Sequence, residues 1–377
     1  MRAAPTARVG AAAVSAALAL LVAAGCSPQR TPGVASRFAT TAAAPLPATS
    51  PYLVMTGPMT GWAVWPSGPA WLALYTTDGF RHVSNRTPVA VETNGGLVGT
   101  FLRDRVAIAV GAHDRLVRSP VLSGSVTTSV ASWAPAELPG PVSDSRRAVA
   151  LRGSTVTVVT SASAGTVLAE TSNGWRAVTD VRSLDTGSML HIDGVTWANS
   201  RQGWITGHGA SGAAMAFQTT TGGRSWTPVT RSADGQIAAL APCRAGREWL
   251  LPIIGADATL RVLRTVDDGR TWSAGTRLRV AGGQPAWGCA ANEVWMAGRS
   301  GTTDHVFSSA DFGASWVDEG PAPASLTDLA PSGGGAGFAA SAGKHTTLWS
   351  VTGNGARFAA IALPGWVTSV GAQMSTS

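Results

Sequence analysis

The chain has 377 residues, 45% of them hydrophobic, with 45 glycines, 22 prolines and no long helix-period pattern after residue 25, which argues against a helical bundle and for an all-β chain. Its formal charge of +7 comes almost wholly from arginine, Lys344 being the single lysine. Only 13% of residues are charged and no basic run is interleaved with aromatics, so composition argues against a nucleic-acid-binding surface.

Residues 1–25 read as a signal peptide. Arg2 and Arg8 form a basic start, and Val9 to Ala24 is an apolar, alanine-rich run too short for a comfortable membrane span. The run ends at AAGC, which resembles a bacterial lipoprotein signal, whose cysteine, here Cys26, becomes the lipidated first residue. Ala23 stands where leucine is usual, so a plain secretory cleavage with an incidental Cys26 is the alternative. Both readings export the protein. Residues 26–50 are rich in Ser, Thr, Pro and Ala and read as a tether, since they cannot bury enough apolar surface to fold alone.

From residue 51 the chain repeats. TVDDGRTW (Thr265 to Trp272) reads as a tight hairpin: Asp267 caps turn amides, Gly269 takes a positive φ, and Trp272 covers the strands. SADFGASW places Asp311, Gly313 and Trp316 in the same slots, and TTTGGRSW places Thr221, Gly223 and Trp226 there. The three tryptophans are 46 and 44 residues apart, a spacing that marks a period. Looser copies are TTDGFRHV, carrying Asp78, then TSNGWRAV from Thr171 and VTGNGARF from Val351; one copy is missing near residues 118 to 130. Short apolar segments recur out of phase with the hairpins, at Gly61, Val106, Ala148, Gly203, Glu248, Val294 and Gly337. Their steps are 42 to 46 residues apart from one of about 55, between Ala148 and Gly203. Read as second strands, they define seven units over residues 51–372, each of four short antiparallel strands. The expected fold is a seven-bladed β-propeller of four-stranded blades. The trailing WVTSVGA (Trp366 to Ala372) reads as an extra first strand, and either it or the segment just before Tyr52 is expected to complete a terminal blade.

The S/T-x-D-x-G-x-S/T-W box resembles the Asp-box, or BNR repeat, of sialidases and of many non-enzymatic propellers. The combined pattern is similar to Ycf48-like photosystem II assembly factors and the Vps10 and sortilin group. What the resemblance implies is a fold, with the box a structural turn at the blade periphery. A sialidase-like site implies three clamping arginines, an Asp acid and a Tyr–Glu nucleophile. The chain has only Tyr52 and Tyr75, and no Arg-Ile-Pro-type motif near its start.

Cys243 and Cys289 each stand six residues before a tryptophan, Trp249 and Trp295, which reads as equivalent places in adjacent units. In an exported chain a disulfide joins them if their Cα atoms lie within about 7 Å; two free buried thiols are the alternative. The six histidines fall at no ligand spacing, so no metal is expected. GHGASG (Gly207 to Gly212) runs strand to strand with no helix to hold a phosphate, and GGGAG (Gly333 to Gly337) reads as a turn.

No catalytic constellation or cofactor is expected. The reading is a monomeric, non-enzymatic binding or assembly module outside a bacterial membrane, held by its lipid anchor alone or else secreted. Its partner would be a protein or a cell-envelope polymer; a sialidase-like glycoside hydrolase is the alternative. The expected binding face is opposite the hairpins, in loops carrying Arg86, Arg182, Arg231 and Arg277.

Overall fold

The computed structural model describes residues 50–67, 70–87, 97–101, 106–110, 115–118, 134–137, 147–152, 155–160, 166–171, 174–180, 191–208, 213–230, 236–240, 242–255, 257–279, 285–323, 325–342 and 346–367. Among them the strands pair, strictly in chain order, into seven antiparallel sheets. Sheet 1 holds Tyr52–Met55, Gly61–Ser67, Ala70–Thr76 and Ser84–Asn85, and sheet 2 holds Leu97–Phe101, Val106–Val110, Arg115–Arg118 and Ala134–Glu137. Sheet 3 runs Arg147–Arg152, Thr155–Thr160, Thr166–Thr171, Gly174–Asp180, and sheet 4 His191–Trp197, Gly203–His208, Ala214–Thr219, Thr227–Thr230. Sheet 6 comprises Trp287–Ala290, Glu293–Ser300, Thr303–Ser309 and Val317–Pro321; sheet 7 comprises Leu326–Gly333, Ala336–Ser341, Thr347–Thr352 and Arg357–Ile361. Sheet 5 has the same plan around Glu248–Gly255 and Thr259–Thr265, with its first strand split into Gln236–Ala239 and Cys243–Ala245 and its fourth into Ser273–Ala274 and Leu278–Arg279. The arrangement is an all-β propeller of mostly four-stranded blades.

Each sheet packs on the next, and both faces of the inner strands are covered. That is why Glu248–Gly255 is almost continuously apolar rather than alternating. Leu250 and Ile254 point forward and pack with Val294, Met296 and Phe307 of sheet 6. Leu251 and Ile253 point back onto Ala214 and Ala216 of sheet 4. Burying each such side chain contributes about 1.5–3 kcal/mol. Outer strands are short or charged, as in Val317–Pro321, which blunts the free edges.

Sheet 7 packs on sheet 1. Leu53, Met55, Trp65 and Phe80 share one apolar core with Ala330, Phe338, Ala340 and Leu348. Two hydrogen bonds cross this junction: the Leu53 amide donates to Asp328 Oδ2 (2.6 Å), and Thr327 Oγ1 donates to the Pro51 carbonyl (2.9 Å).

Three expectations are corrected. The segment from Ala148 lies in the first strand of sheet 3, and the second strand is Thr155–Thr160. That error produced the 55-residue step: counted from Thr155, the steps from Val106 and to Gly203 are 49 and 48 residues. WVTSVGA does not begin as a strand: residues 365–367 form a helical turn whose Val367 is buried and whose carbonyl accepts from Ser67 Oγ (2.6 Å); residues 368–372 lie outside the described residues. In TSNGWRAV Thr171 pairs with Gly174, so the strands pair closer to the connection than in the hairpins of sheets 4, 5 and 6; residues 172–173 lie outside the described residues.

Candidate functional site

The hairpins of sheets 1, 4, 5 and 6 use one hydrogen-bond scheme. In sheet 5 the Gly269 amide donates to Thr265 Oγ1 (2.8 Å), and Thr265 Oγ1 donates to Asp267 Oδ1 (2.8 Å). Asp267 also accepts from the Thr271 amide (2.9 Å) and the Thr271 hydroxyl (2.7 Å). Sheet 6 repeats this with Ser309, Asp311, Gly313 and Ser315 at 2.6 to 2.8 Å. In sheet 4 the Thr221 hydroxyl replaces the carboxylate and accepts from the Ser225 amide (2.9 Å), while the Gly223 amide donates to Thr219 Oγ1 (2.9 Å). In sheet 1 the Phe80 amide donates to Thr76 Oγ1 (2.8 Å), and Asp78 accepts from the His82 amide (3.0 Å) and meets His82 Nδ1 at 2.6 Å.

Two successive residues of each hairpin are left-handed: Gly79 and Phe80, Gly222 and Gly223, Asp268 and Gly269, Phe312 and Gly313. The Thr271 hydroxyl and amide hold the Asp267 carboxyl down at about 2, and the His82 amide and ring do the same for Asp78. Burial pushes Asp311 up, but its Ser315 and Ser309 donors outweigh that and leave it below the usual carboxylate range. These acids are fully engaged in holding their turns.

Each hairpin also docks on the preceding sheet. Arg152 Nη1 of sheet 3 donates to the Gly222 carbonyl (2.6 Å), Gln202 Nε2 of sheet 4 to the Asp268 carbonyl (2.9 Å), and Arg264 Nη1 of sheet 5 to the Asp311 carbonyl (3.5 Å). The hairpin tryptophans complete these junctions. Trp226 packs edge-on to Trp197 in the core that includes Ala150 and Val167 of sheet 3, Trp272 packs against the sheet 4–5 core, and Trp316 against the sheet 5–6 core. A Cβ on Gly313 would lie 2.8 Å from Val262 Cβ of sheet 5, so glycine there permits both the turn and the approach.

Cys243 and Cys289 are joined by a disulfide between sheets 5 and 6, with Cα atoms 6.3 Å apart. Their places are not equivalent, and that is what allows the bond. Cys243 pairs in register with Leu250, on the forward face of sheet 5; Cys289 pairs with Val294, on the backward face of sheet 6. Strictly equivalent cysteines would point the same way around the propeller, because a one-residue slip exchanges the two faces of a strand. The tryptophans show the same offset: Trp249 stacks back on Trp204 (4.2 Å between ring centroids), whereas Trp295 reaches forward to Gly337 of sheet 7.

Of the four arginines singled out from sequence, Arg86 and Arg277 are among the described residues. The Arg277 guanidinium lies 3.7 Å from Asp257, in the turn between the second and third strands, which places it at the end opposite the hairpins. Arg86 Nε donates to Ser84 Oγ (3.3 Å) in sheet 1. Arg182, Arg231 and Cys26 lie outside the described residues. Of the tryptophans outside the recurring slots, Trp197 and Trp287 are buried, Trp71 is half-buried and Trp366 is exposed.

Sequence reasoning missed Asp328, on the first strand of sheet 7. Its carboxyl accepts the Leu53 and Leu329 amides (2.6 and 2.9 Å), and burial pushes it up to about 7 against those donors. Among the described residues no three His, Cys, Asp or Glu side chains converge as a metal would require. The Asp328 carboxyl thus satisfies two backbone amides where sheet 7 meets sheet 1.

No protein-family profile and no curated protein matches the chain. Solved structures do match its fold. One is Ycf48 bound to a D1 peptide, with a TM-score of 0.50 and 16% identity over 85% of this chain and 93% of that one. Another comes from a structural and mechanistic study of two prolyl endopeptidases, with a TM-score of 0.54 and 9% identity over 86% of this chain but only 50% of that one. At these identities the likeness shows the propeller fold alone.

Proposed function

We propose that the protein is an exported, non-enzymatic, monomeric propeller that binds a protein segment or cell-envelope polymer outside a bacterial membrane, tethered through a lipidated Cys26. In this reading the seven sheets form one closed ring and the hairpins are Asp-box repeats. The observation that carries the binding role is the likeness to Ycf48 along nearly all of that protein's length, since Ycf48 was solved with a peptide bound. Export is supported by the inter-sheet disulfide, a bond that persists in oxidising compartments, and by the basic, apolar, cysteine-terminated start of the chain.

The test is expression of the full chain in a bacterial host with photo-crosslinking residues placed at Arg86 and Arg277, followed by membrane fractionation. The expected result is a discrete crosslinked partner and loss of membrane association in Cys26→Ser. Turnover of fluorogenic sialosides by the purified chain would overturn the non-enzymatic reading.

A further inference from the structure

The hairpin end of the propeller differs from the end assigned to binding above. The hairpins share it with the turns between first and second strands: the Gly222 amide donates to the Arg201 carbonyl (2.7 Å) and the Gly79 amide to the Met59 carbonyl (2.8 Å). On adjacent sheets 4 and 5 this end presents four exposed arginines. Arg224 and Arg270 follow the hairpin glycines, and Arg201 and Arg247 sit in the first turns. Among the described residues none of the four side chains makes an ion pair or hydrogen bond. Among the described residues of sheets 4 to 6 the acids at this end are Asp267 and Asp311, held by their own turns, Glu248, 4.0 Å from Arg264, Glu293, which accepts from the Gly335 amide (2.6 Å), and Asp268, exposed in the sheet 5 hairpin.

The same end carries most of the exposed apolar bulk. Of the four large hydrophobic side chains exposed among the described residues, Val266 (69%) lies inside the sheet 5 hairpin, Val317 (58%) directly follows the sheet 6 hairpin, and Met59 (43%) lies in the first turn of sheet 1. Guanidinium groups bind phosphate oxygens bidentately, which suits any phosphate-bearing partner. Apolar side chains set among them favour one source, because a bilayer boundary removes them from water and a soluble polyanion does not.

We infer that the hairpin end of sheets 4 to 6 is a docking surface for anionic phospholipid headgroups. Arg201, Arg224, Arg247 and Arg270 contact the phosphates there, and Val266 and Val317 enter the headgroup boundary. This deepens the membrane location proposed above and does not need the anchor.

The experiment uses the full chain carrying Cys26→Ser, so that no acyl chain contributes, sedimented with phosphatidylcholine vesicles with or without 30% phosphatidylglycerol. Binding is expected only to the anionic vesicles, and to be lost in high salt. A basic side chain near such a surface is worth about 1 kcal/mol, roughly fivefold in affinity, so Arg224→Gln, Arg247→Gln and Arg270→Gln together should weaken binding about a hundredfold. Val266→Ser should weaken it a few-fold and Arg277→Gln, at the other end, should not change it. Circular dichroism checks that each variant folds. Equal binding by the triple variant or to neutral vesicles would overturn the inference, as would tighter binding to soluble polyphosphate or polyglutamate than to the vesicles. Loss of vesicle binding alongside intact Cys26-dependent membrane fractionation would reject this face and leave the anchor standing.

Discussion

The junctions among sheets 4, 5 and 6 and the junction between sheet 7 and sheet 1 put the same backbone turn to different use. In the run from sheet 4 to sheet 6 the second left-handed residue is glycine, and the polar clasp comes from a side chain of the preceding sheet. At the sheet 7–1 junction Phe80 takes that residue's place, at φ 64°, and its ring packs edge-on against Phe338 with centroids 5.2 Å apart. A left-handed non-glycine costs about 1–2 kcal/mol, and the buried ring offsets it. The first junctions place glycine at the second left-handed position, whereas the last uses a large residue there and adds a half-buried acid across the join. The first and last sheets thus meet through a copy of the turn that differs from those of sheets 4 to 6 at one position.

The predictions break or sharpen that contrast. Cys243→Ser opens a 46-residue loop between sheets 5 and 6, and the entropic estimate for a loop of that size is about 4 kcal/mol of stability lost, measured by denaturant unfolding. Gly313→Ala combines a strained φ of 86° with a Cβ 2.8 Å from Val262 Cβ, so a loss of about 3 kcal/mol is expected in the same assay. Phe80→Gly relieves the turn but empties a packed site, and the net loss should be smaller, about 2 kcal/mol. If Phe80→Gly proves stabilising, the ring is not holding the closing junction. Asp267→Asn keeps the shape of the turn but weakens its acceptor, and the smallest loss of the four is expected in the same assay.

The two junction types also differ in how they respond to pH. Asp328 holds its proton up to about 7 when folded, above the ordinary value of 3.8. Its contribution is therefore present below 3.8 and falls away as pH rises towards 7. Asp267, at the sheet 4–5 junction, is displaced the other way, so what it contributes is present above 3.8 and is lost as pH falls towards 2. Thermal unfolding of Asp328→Asn should show less decline between pH 4 and 7 than the parent, with the acid limb unchanged.

The repeat, the all-β class and the four-strand unit were legible because a 44- to 46-residue tryptophan spacing leaves few alternatives. Strand order within sheet 3 was not. Arg147–Arg152 and Thr155–Thr160 are both apolar and neither carries an aromatic, so composition does not rank one above the other and only the evenness of the spacing favours Thr155. The cysteines were paired for an incomplete reason. Equal distance to a tryptophan concealed the one-residue offset that turns Cys243 and Cys289 to face each other. Asp328 was invisible because an acid among Ser, Thr and Leu reads as a surface residue until Leu53, 275 positions away, is brought against it. The unpaired arginines were overlooked because they lie beside the hairpin, at an end taken to be scaffolding.

Closure between sheet 7 and sheet 1 is tested most directly by a cross-link. Phe80→Cys and Phe338→Cys, placed in a Cys26→Ser chain and treated with a short bis-maleimide, should give a monomer carrying one intramolecular link by intact mass and peptide mapping. Unlinked monomer, or links formed only between chains, would show that the first and last sheets do not meet and would contradict the ring.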